Sequence, residues 1–200
     1  MRAVILNNSL KASPTPSNTE ALAKVVMDAL EELGVHTEML RMADYHIPPG
    51  VQSDEGGEDA WPPIREKILH SEILIMASPT WLGQPSSIAK RVLERMDAML
   101  TETNGEGRPV AYNRVAGFVV TGNEDGAHHV ISEMAGALID IGYTIPGQAW
   151  TYWNHGPGPG GSYLETDYKH DWSKQTGQTA AVNLVRVAQA LQEHSIPPPG

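Results

Sequence analysis

The sequence predicts an α/β fold in which five parallel strands form one sheet with helices on both faces. Three short apolar runs lead to this prediction, namely Val4–Leu6, Ile73–Ala77 and Val115–Val120. Each run suits a strand that is covered on both faces, and each is followed by a polar turn and then by apolar residues at helical spacing. This repetition along 200 residues indicates one domain over residues 1–194, followed by a disordered Pro-rich tail at 195–200.

The first strand runs into a long hydroxyl-rich loop, after which a helical pattern begins at Ala21. Free N–H groups and the positive end of the dipole at a helix N-terminus suit a phosphate, and Lys11 could add a counter-charge. A local explanation is also open, because Ser17 and Glu20 have the spacing of a capping box. The loop is longer than a cap requires and follows a buried strand at the carboxyl edge of the sheet, and both observations favour anion binding.

Weaker patterns place the remaining elements. The alternation in Val35–Met42 predicts a strand near an edge of the sheet, and the acidic residues of the following loop, Ala43–Ala60, are expected to face water. The other predicted elements are a helix at Pro62–His70, a helix from Pro85, a loop at Thr101–Arg114, a helix containing Val130 to Ile141, an edge strand at Thr144–Thr151 interrupted by Pro146 and Gly147, an aromatic loop at Tyr152–Trp172, and a last helix around Ala181 to Leu191.

The turns after the three buried strands are predicted to meet at one edge of the sheet. The first offers phosphate donors, and the second offers an aromatic ring at Trp81, flanked by Pro79. The third has small residues at Gly122 and Gly126, where backbone can approach a flat ligand. Together the turns fit a ligand with one phosphate and one planar ring, which is a mononucleotide.

Composition restricts the partners and the location. Lys and Arg number 14 against 24 Asp and Glu, which gives a formal net charge of −10 and argues against nucleic acid or anionic membranes as partners. There is no cysteine, so redox chemistry requires a cofactor. No apolar run approaches the roughly 18 residues of a membrane span, and residues 1–10 lack the long apolar core of a signal peptide. We therefore expect a cytoplasmic protein.

Three segments resemble the flavin-binding loops of the flavodoxin-like NAD(P)H-dependent FMN reductases, over roughly residues 1–150. They are SLKASPTPSNTEA, which resembles the phosphate loop, and SPTWLGQPS and TGNEDGAHH, which resemble the second and third flavin loops. The resemblance implies a flavodoxin-like three-layer sandwich with strand order 2-1-3-4-5. It also implies FMN as cofactor, NADPH or NADH as reductant, a small-molecule electron acceptor, and a homodimer or homotetramer.

The same resemblance assigns roles to individual residues. The phosphate would be held by Ser9, Lys11, Ser17, Asn18 and Thr19; the ribityl chain and ring by Pro79, Thr80, Trp81, Leu82 and Gly83; and the other edge of the ring by Thr121, Gly122, Asn123 and Gly126. No catalytic side chain is implied, because the chemistry takes place at flavin N5. Asn8 departs from the family, which usually has glycine there, and an insertion at residues 12–16 lengthens the loop so that its tip is mobile or covers the phosphate.

These observations predict an oxidoreductase that passes hydride from NAD(P)H through FMN to a quinone, flavin, nitro or azo compound. A non-enzymatic electron carrier of flavodoxin type and a regulatory protein without cofactor are the alternatives. The dense aromatics of Tyr152–Trp172 are explained equally well by a cover over the flavin, a contact with a second subunit, or packing on their own sheet.

Three further patterns are assigned no function. Gly156, Gly158 and Gly161 match G-x-G-x-x-G, but prolines interleave them and no helix follows closely. His128 and His129 are adjacent and so lie on different faces of a helix, which makes them poor metal ligands together with Glu133. The sequon at 7–9 lies in the predicted binding loop of a chain without a recognisable export signal.

Overall fold

The computed structural model describes residues 1–157 and 160–199. Within them the strands are β1 (Arg2–Asn7), β2 (His36–Arg41), β3 (Ile73–Trp81), β4 (Gln84–Pro85), β5 (Val115–Gly122) and β6 (Trp150–Asn154). The helices are α1 (Asn18–Glu32), α2 (Trp61–Leu69), α3 (Ser87–Met96), α4 (Ala127–Asp140) and α5 (His170–Glu193). Gly158 of the unassigned glycine pattern and Gly200 of the predicted tail lie outside the described residues.

Five parallel strands form the sheet in the order β2-β1-β3-β5-β6, and the short β4 pairs antiparallel with the end of β3. Side chains alternate across the strands, so Val4 and Leu6 face one side while Ala3 and Ile5 face the other. Helices α2, α3 and α4 cover the first side, and α1 and α5 cover the second. The predicted fold class and strand order are therefore confirmed.

The end of the sheet differs from the prediction. Thr144 makes only an isolated bridge to Val115, and the last strand, β6, begins after Pro146 and Gly147. Pro146 has no N–H to give to the ladder, and Gln148 has a positive φ of 55°, so pairing resumes only beyond this turn. The predicted strand at 144–151 was therefore placed too early, although it was correctly assigned to an edge of the sheet.

The aromatic loop is shorter than predicted, because both of its ends belong to regular elements. Trp153 lies in β6 and is buried, and α5 begins at His170 rather than near Ala181. The first turns of α5 are polar, so they lack the repeated apolar spacing that predicts a helix. Gly177 lies in this part of the helix, and a Cβ there would stand 3.3 Å from Val25 of α1, so α5 packs closely on its neighbour.

Helix α3 begins two residues later than predicted. Pro85 belongs to β4, and Ser86 caps the helix, because its Oγ accepts a hydrogen bond of 3.0 Å from the N–H of Ala89. The same hydroxyl donates to the carbonyl of Asn8 at 2.6 Å. Helix α3 is therefore tied to the loop that follows β1.

No helix among the described residues is both long and apolar enough to cross a membrane.

One acid of the loop at 43–60 contradicts the expectation that all of them face water. Asp59 is buried and forms an ion pair of 2.7 Å with the buried Arg95 of α3. Arg95 also donates to the carbonyls of Pro48 and Gln52. Burial alone would raise the pKa of Asp59, but hydrogen bonds from Arg95 and from backbone N–H groups outweigh it and lower that pKa to about 2. The loop is therefore fastened to α3.

Candidate functional site

The loop after β1 and the carboxyl ends of β3 and β5 meet in a cleft of about 330 Å³ at the carboxyl edge of the sheet. Residues named in the sequence prediction line much of it: Ser9, Lys11, Ser17, Asn18, Thr19, Pro79, Thr80, Trp81, Thr121, Gly122 and Asn123. The predicted convergence is thus observed in the geometry, but β3 and β5 run on to Trp81 and Gly122, beyond the predicted strand ends at Ala77 and Val120. The cleft lies where doubly wound sheets bind their ligands.

Three predicted residues, Leu82, Gly83 and Gly126, do not line the cleft. Leu82 and Gly83 form the tip of the hairpin between β3 and β4, both with positive φ, and Leu82 is 90% exposed. Gly126 lies behind this hairpin, since a Cβ on it would stand 2.8 Å from the Cα of Gly83. Glu124 accepts a hydrogen bond of 3.4 Å from the N–H of Gly83. These residues therefore support the wall of the cleft.

Next to Ser9 of the cleft lies the buried Asn8, at the position where the resemblance leads us to expect glycine. Asn8 does not belong to the described residues with positive φ. Its Nδ2 donates to the carbonyls of Leu6 and Ala77 at 2.9 and 3.0 Å, which ties β1 to β3. The neighbouring Asn7 accepts a hydrogen bond of 3.1 Å from the N–H of Ser9 through its Oδ1. The asparagine is therefore accommodated, and its side chain adds to the backbone hydrogen bond of 2.8 Å that its N–H already donates to the carbonyl of Ala77.

At the start of α1, Ser17 caps the helix, because its Oγ accepts a hydrogen bond of 3.1 Å from the N–H of Glu20. Glu20 does not complete the capping box and pairs instead with Arg41, whose hydrogen bond lowers the pKa of the Glu20 carboxyl. Helix geometry leaves the N–H groups of Asn18 and Thr19 without intrahelical acceptors. Both of these residues line the cleft, so the cap and the anion site are compatible.

A hydrogen bond of 2.8 Å joins the hydroxyls of Thr19 and Thr121. It connects the start of α1 to the end of β5, which are distant in the chain, and both residues are buried. The insertion at 12–16 also has defined contacts. Asp44 accepts bonds of 2.7 Å from the N–H and the hydroxyl of Ser13, and Arg41 donates to the carbonyl of Thr15 at 2.6 Å. The loop is thus held against the end of β2.

Two hydroxyls of the cleft have no hydrogen-bond partner among the described residues. The Oγ of Ser9 and the Oγ1 of Thr80 are buried, and both residues line the cleft. A buried hydroxyl without a partner destabilises a protein by about 1–3 kcal/mol, so such groups are normally satisfied. These orphaned atoms indicate that a ligand with hydrogen-bonding groups completes the site.

The sequence prediction missed part of the cleft wall, which is formed by Leu10, Pro16, Trp153, Ser162 and Tyr163. The ring centroids of Trp153 and Tyr163 are 5.6 Å apart. The density of aromatics in this segment was the available signal, and it left three explanations open. The structure shows that the segment packs on its own sheet and also lines the cleft, while contact with a second subunit stays a prediction.

Tyr163 is fixed in that wall by contacts on several sides. Its ring stacks on His170 with centroids 3.9 Å apart. Burial raises the pKa of the Tyr163 phenol, and a hydrogen bond with Ser173 opposes this only in part. Tyr163 is therefore neutral near pH 7 and offers the cleft an uncharged, rigid surface.

Comparison with known proteins decides the family. Residues 1–157 match the family described as NADPH-dependent FMN reductase. The chain belongs to this FMN reductase family. The family confirms the predicted FMN cofactor, the reduced nicotinamide as reductant, and the assignment as an oxidoreductase. The cleft fits the cofactor, since unpartnered hydroxyls and a helix N-terminus suit a phosphate and an aromatic residue suits a ring.

Two relatives align along most of the length of this chain. The 8-demethyl-8-aminoriboflavin-5'-phosphate synthase of Streptomyces davaonensis is 34% identical over 204 residues, which cover 96% of this chain and 79% of that protein. The divalent metal cation transporter MntH of Mycobacterium bovis is 37% identical over 199 residues. That match covers 96% of this chain but only 29% of the transporter.

Solved structures share the fold of this chain. RosB with bound 8-demethyl-8-formylriboflavin-5'-phosphate superposes with a TM-score of 0.91 at 33% identity, covering 98% of this chain and 82% of RosB. An archaeal flavodoxin superposes with a TM-score of 0.58 at 13% identity, covering 92% of this chain and 99% of the flavodoxin, which shows a shared fold alone.

Proposed function

We propose that the protein binds FMN in this cleft and passes hydride from NADPH or NADH through it to a small organic acceptor such as a quinone, a flavin, a nitro compound or an azo compound. The observation that carries this proposal is the pair of unpartnered buried hydroxyls, Ser9 and Thr80, in a cleft where three flavin-type loops meet. Bound FMN supplies hydride acceptance and donation at its N5 atom.

The phosphate end of the site lies at the start of α1. The N–H groups of Asn18 and Thr19 and the hydroxyl of Ser9 are the donors that would hold the phosphate. Lys11 lies in the same wall and contributes positive charge. Because the chain has a net charge of −10, this local arrangement has to supply the attraction for an anion.

The ring end of the site lies between the second and third turns. Trp81, which is 52% exposed, lines the cleft together with Gly122 and Asn123. A Cβ on Gly122 would lie 2.9 Å from the carbonyl of Glu124 and 3.1 Å from the Cβ of Thr80. This close approach of backbone leaves a flat wall, against which a planar ring packs well.

The test starts from the visible spectrum of the purified protein with FMN, recorded before and after anaerobic addition of NADPH or NADH. We expect a flavin spectrum that bleaches with the reductant and returns with a quinone. A flavin that stays oxidised would favour the electron carrier, and a protein that takes up no FMN would overturn the proposal. Ser9→Ala combined with Thr80→Ala should weaken FMN binding, whereas Ser132→Ala, at an exposed serine of α4, should not.

A second candidate function is that a flavin phosphate is the substrate rather than a resident cofactor. It is supported by the Streptomyces davaonensis relative, which is named as a synthase of a modified flavin phosphate, and by the similarity to RosB with its bound flavin intermediate. Mass spectrometry of the flavin released after turnover separates the two. Unchanged FMN supports the reductase, and a flavin altered on its ring supports the second function.

We also propose that the protein is a homodimer or homotetramer in the cytoplasm and that residues 1–194 form one domain. The family resemblance and the continuous sheet support these points. Light scattering of the purified protein measures the mass of the assembly. A monomer at micromolar concentration would contradict the first of them.

A further inference from the structure

A second cavity, of about 390 Å³, lies beside the cleft and is lined by Tyr152, Trp153, Asn154, Lys169 and Trp172. Trp153 lines both the cavity and the cleft. In the sheet, Asn154 pairs with Gly122 of the cleft wall, and neighbouring strands are about 4.8 Å apart. The cavity and the cleft are therefore adjacent at the same edge of the sheet.

The walls of this cavity are aromatic. The rings of Tyr152 and Trp172 meet edge to face with centroids 4.9 Å apart. Trp172 is 42% exposed, although a large aromatic side chain gains from burial. Faces of this kind pack well against a planar heterocycle. The cavity is of the size that binding pockets for small molecules have.

Lys169 adds a positive charge to the same cavity. It lies immediately before α5 with a positive φ of 55°, and its Nζ stands 4.9 Å from the centroid of the Tyr168 ring. Asp167 and Asp171 flank it in sequence, but within the ranges 1–157 and 160–199 no carboxylate lies within 4.0 Å of its ammonium. This cation is therefore available to an anionic group, and lysine commonly binds phosphate.

We propose that this cavity binds the adenosine 2'-phosphate end of NADPH, with the adenine against Tyr152 and Trp172 and the 2'-phosphate on Lys169. The argument rests on the proposed function, since the nicotinamide end has to reach the adjacent cleft. A planar base next to a phosphate monoester matches aromatic walls next to one ammonium. NADH has the base without the 2'-phosphate, so the cavity discriminates between the two reductants through Lys169.

The test compares Lys169→Gln with the control Lys174→Gln, which removes an exposed lysine from the next turn of α5. Steady-state oxidation of NADPH and of NADH is measured for each protein. Lys169→Gln should raise the KM for NADPH about tenfold, the loss of roughly one charge-assisted hydrogen bond, and leave kcat and the KM for NADH unchanged. Equal effects on both nucleotides, no effect on either, or the same change in Lys174→Gln would overturn the inference.

A binding experiment keeps this inference separate from the proposed function. Adenosine 2'-monophosphate is titrated into the purified protein while tryptophan fluorescence is recorded. We expect saturable quenching in the unaltered protein and in Lys174→Gln, with affinity about tenfold weaker in Lys169→Gln. If neither NADPH nor NADH reduces the flavin but this pattern of quenching is observed, the proposed hydride transfer is refuted and the proposed nucleotide site is retained. Absence of quenching, or equal quenching in Lys169→Gln, removes the site.

Discussion

Asp59→Asn is expected to destabilise the protein strongly, because it leaves the buried guanidinium of Arg95 without a counter-charge. In the folded chain Asp59 accepts two hydrogen bonds from Arg95, at 2.7 and 3.1 Å. It also accepts bonds of 3.0 and 2.9 Å from the N–H groups of Glu55 and Trp61. The neutral amide of asparagine cannot accept at both atoms and carries no charge.

The magnitude follows from burial and from the pKa. Breaking a buried ion pair by removing one partner costs about 3–5 kcal/mol of unfolding free energy. The pKa of Asp59 falls from an ordinary 3.8 to about 2, which corresponds to about 2 kcal/mol of stabilisation. Since the folded pKa is the lower one, this stabilisation is present above pH 4 and is lost as the pH falls toward 2.

Urea unfolding followed by circular dichroism measures both effects. At pH 7 we expect Asp59→Asn to reduce the unfolding free energy by about 3 kcal/mol or more, and Asp28→Asn, at an exposed acid of α1, to change it by less than about 0.5 kcal/mol. Between pH 4 and pH 2 the difference between the unaltered protein and Asp59→Asn should shrink by about 2 kcal/mol. A difference that stays constant with pH would refute this account of Asp59.

Three further predictions concern the cleft and its hairpin. Ser9→Ala should weaken FMN binding about fivefold to tenfold in a fluorescence titration, because it removes an unpartnered hydroxyl of the cleft. Gly126→Ala should lower the unfolding free energy, measured by thermal melts, by about 1–3 kcal/mol, since its Cβ would lie 2.8 Å from Gly83 at a φ of 109°. The control Gly136→Ala places a Cβ that meets nothing within 4 Å and should be neutral or stabilising. Leu82→Asn should raise the unfolding free energy by about 0.5–1 kcal/mol, because asparagine tolerates a φ of 51° better than leucine; an unchanged or lower value would contradict this.

The parts of the fold that were predictable are those where one residue pattern has one structural solution. Val4–Leu6 and Ile73–Ala77 are apolar throughout because helices cover both faces of their strands. These two strands could therefore be recognised from their own residues alone. Thr144–Thr151 was misplaced because Tyr152 and Trp153 carry no signal that distinguishes an edge strand from an aromatic loop. The early turns of α5 were missed because they are polar and partly exposed.

The candidate site was predictable only where the loops follow strands directly. Ser17 lies in such a loop, Trp81 and Gly122 are the last residues of β3 and β5, and the sheet brings all three to one cleft. Tyr163 and Ser162 approach the same cleft from far along the chain, through the bond of 2.9 Å between the N–H of Leu164 and the side chain of Asn18. A contact of this kind depends on tertiary packing, so no local pattern reveals it. The buried pair of Asp59 and Arg95 was missed for the same reason.

The amide of Asn8 has a consequence for how a ligand enters and leaves. The side chain of Asn8 bonds to carbonyls on two neighbouring strands, and the backbone carbonyl of Asn8 accepts from the hydroxyl of Ser86. These bonds fix the backbone beside the cleft without any ligand. Little ordering entropy is then lost on association or regained on departure. A binding site formed in advance suits a substrate that is exchanged at every turnover as well as a cofactor that stays bound.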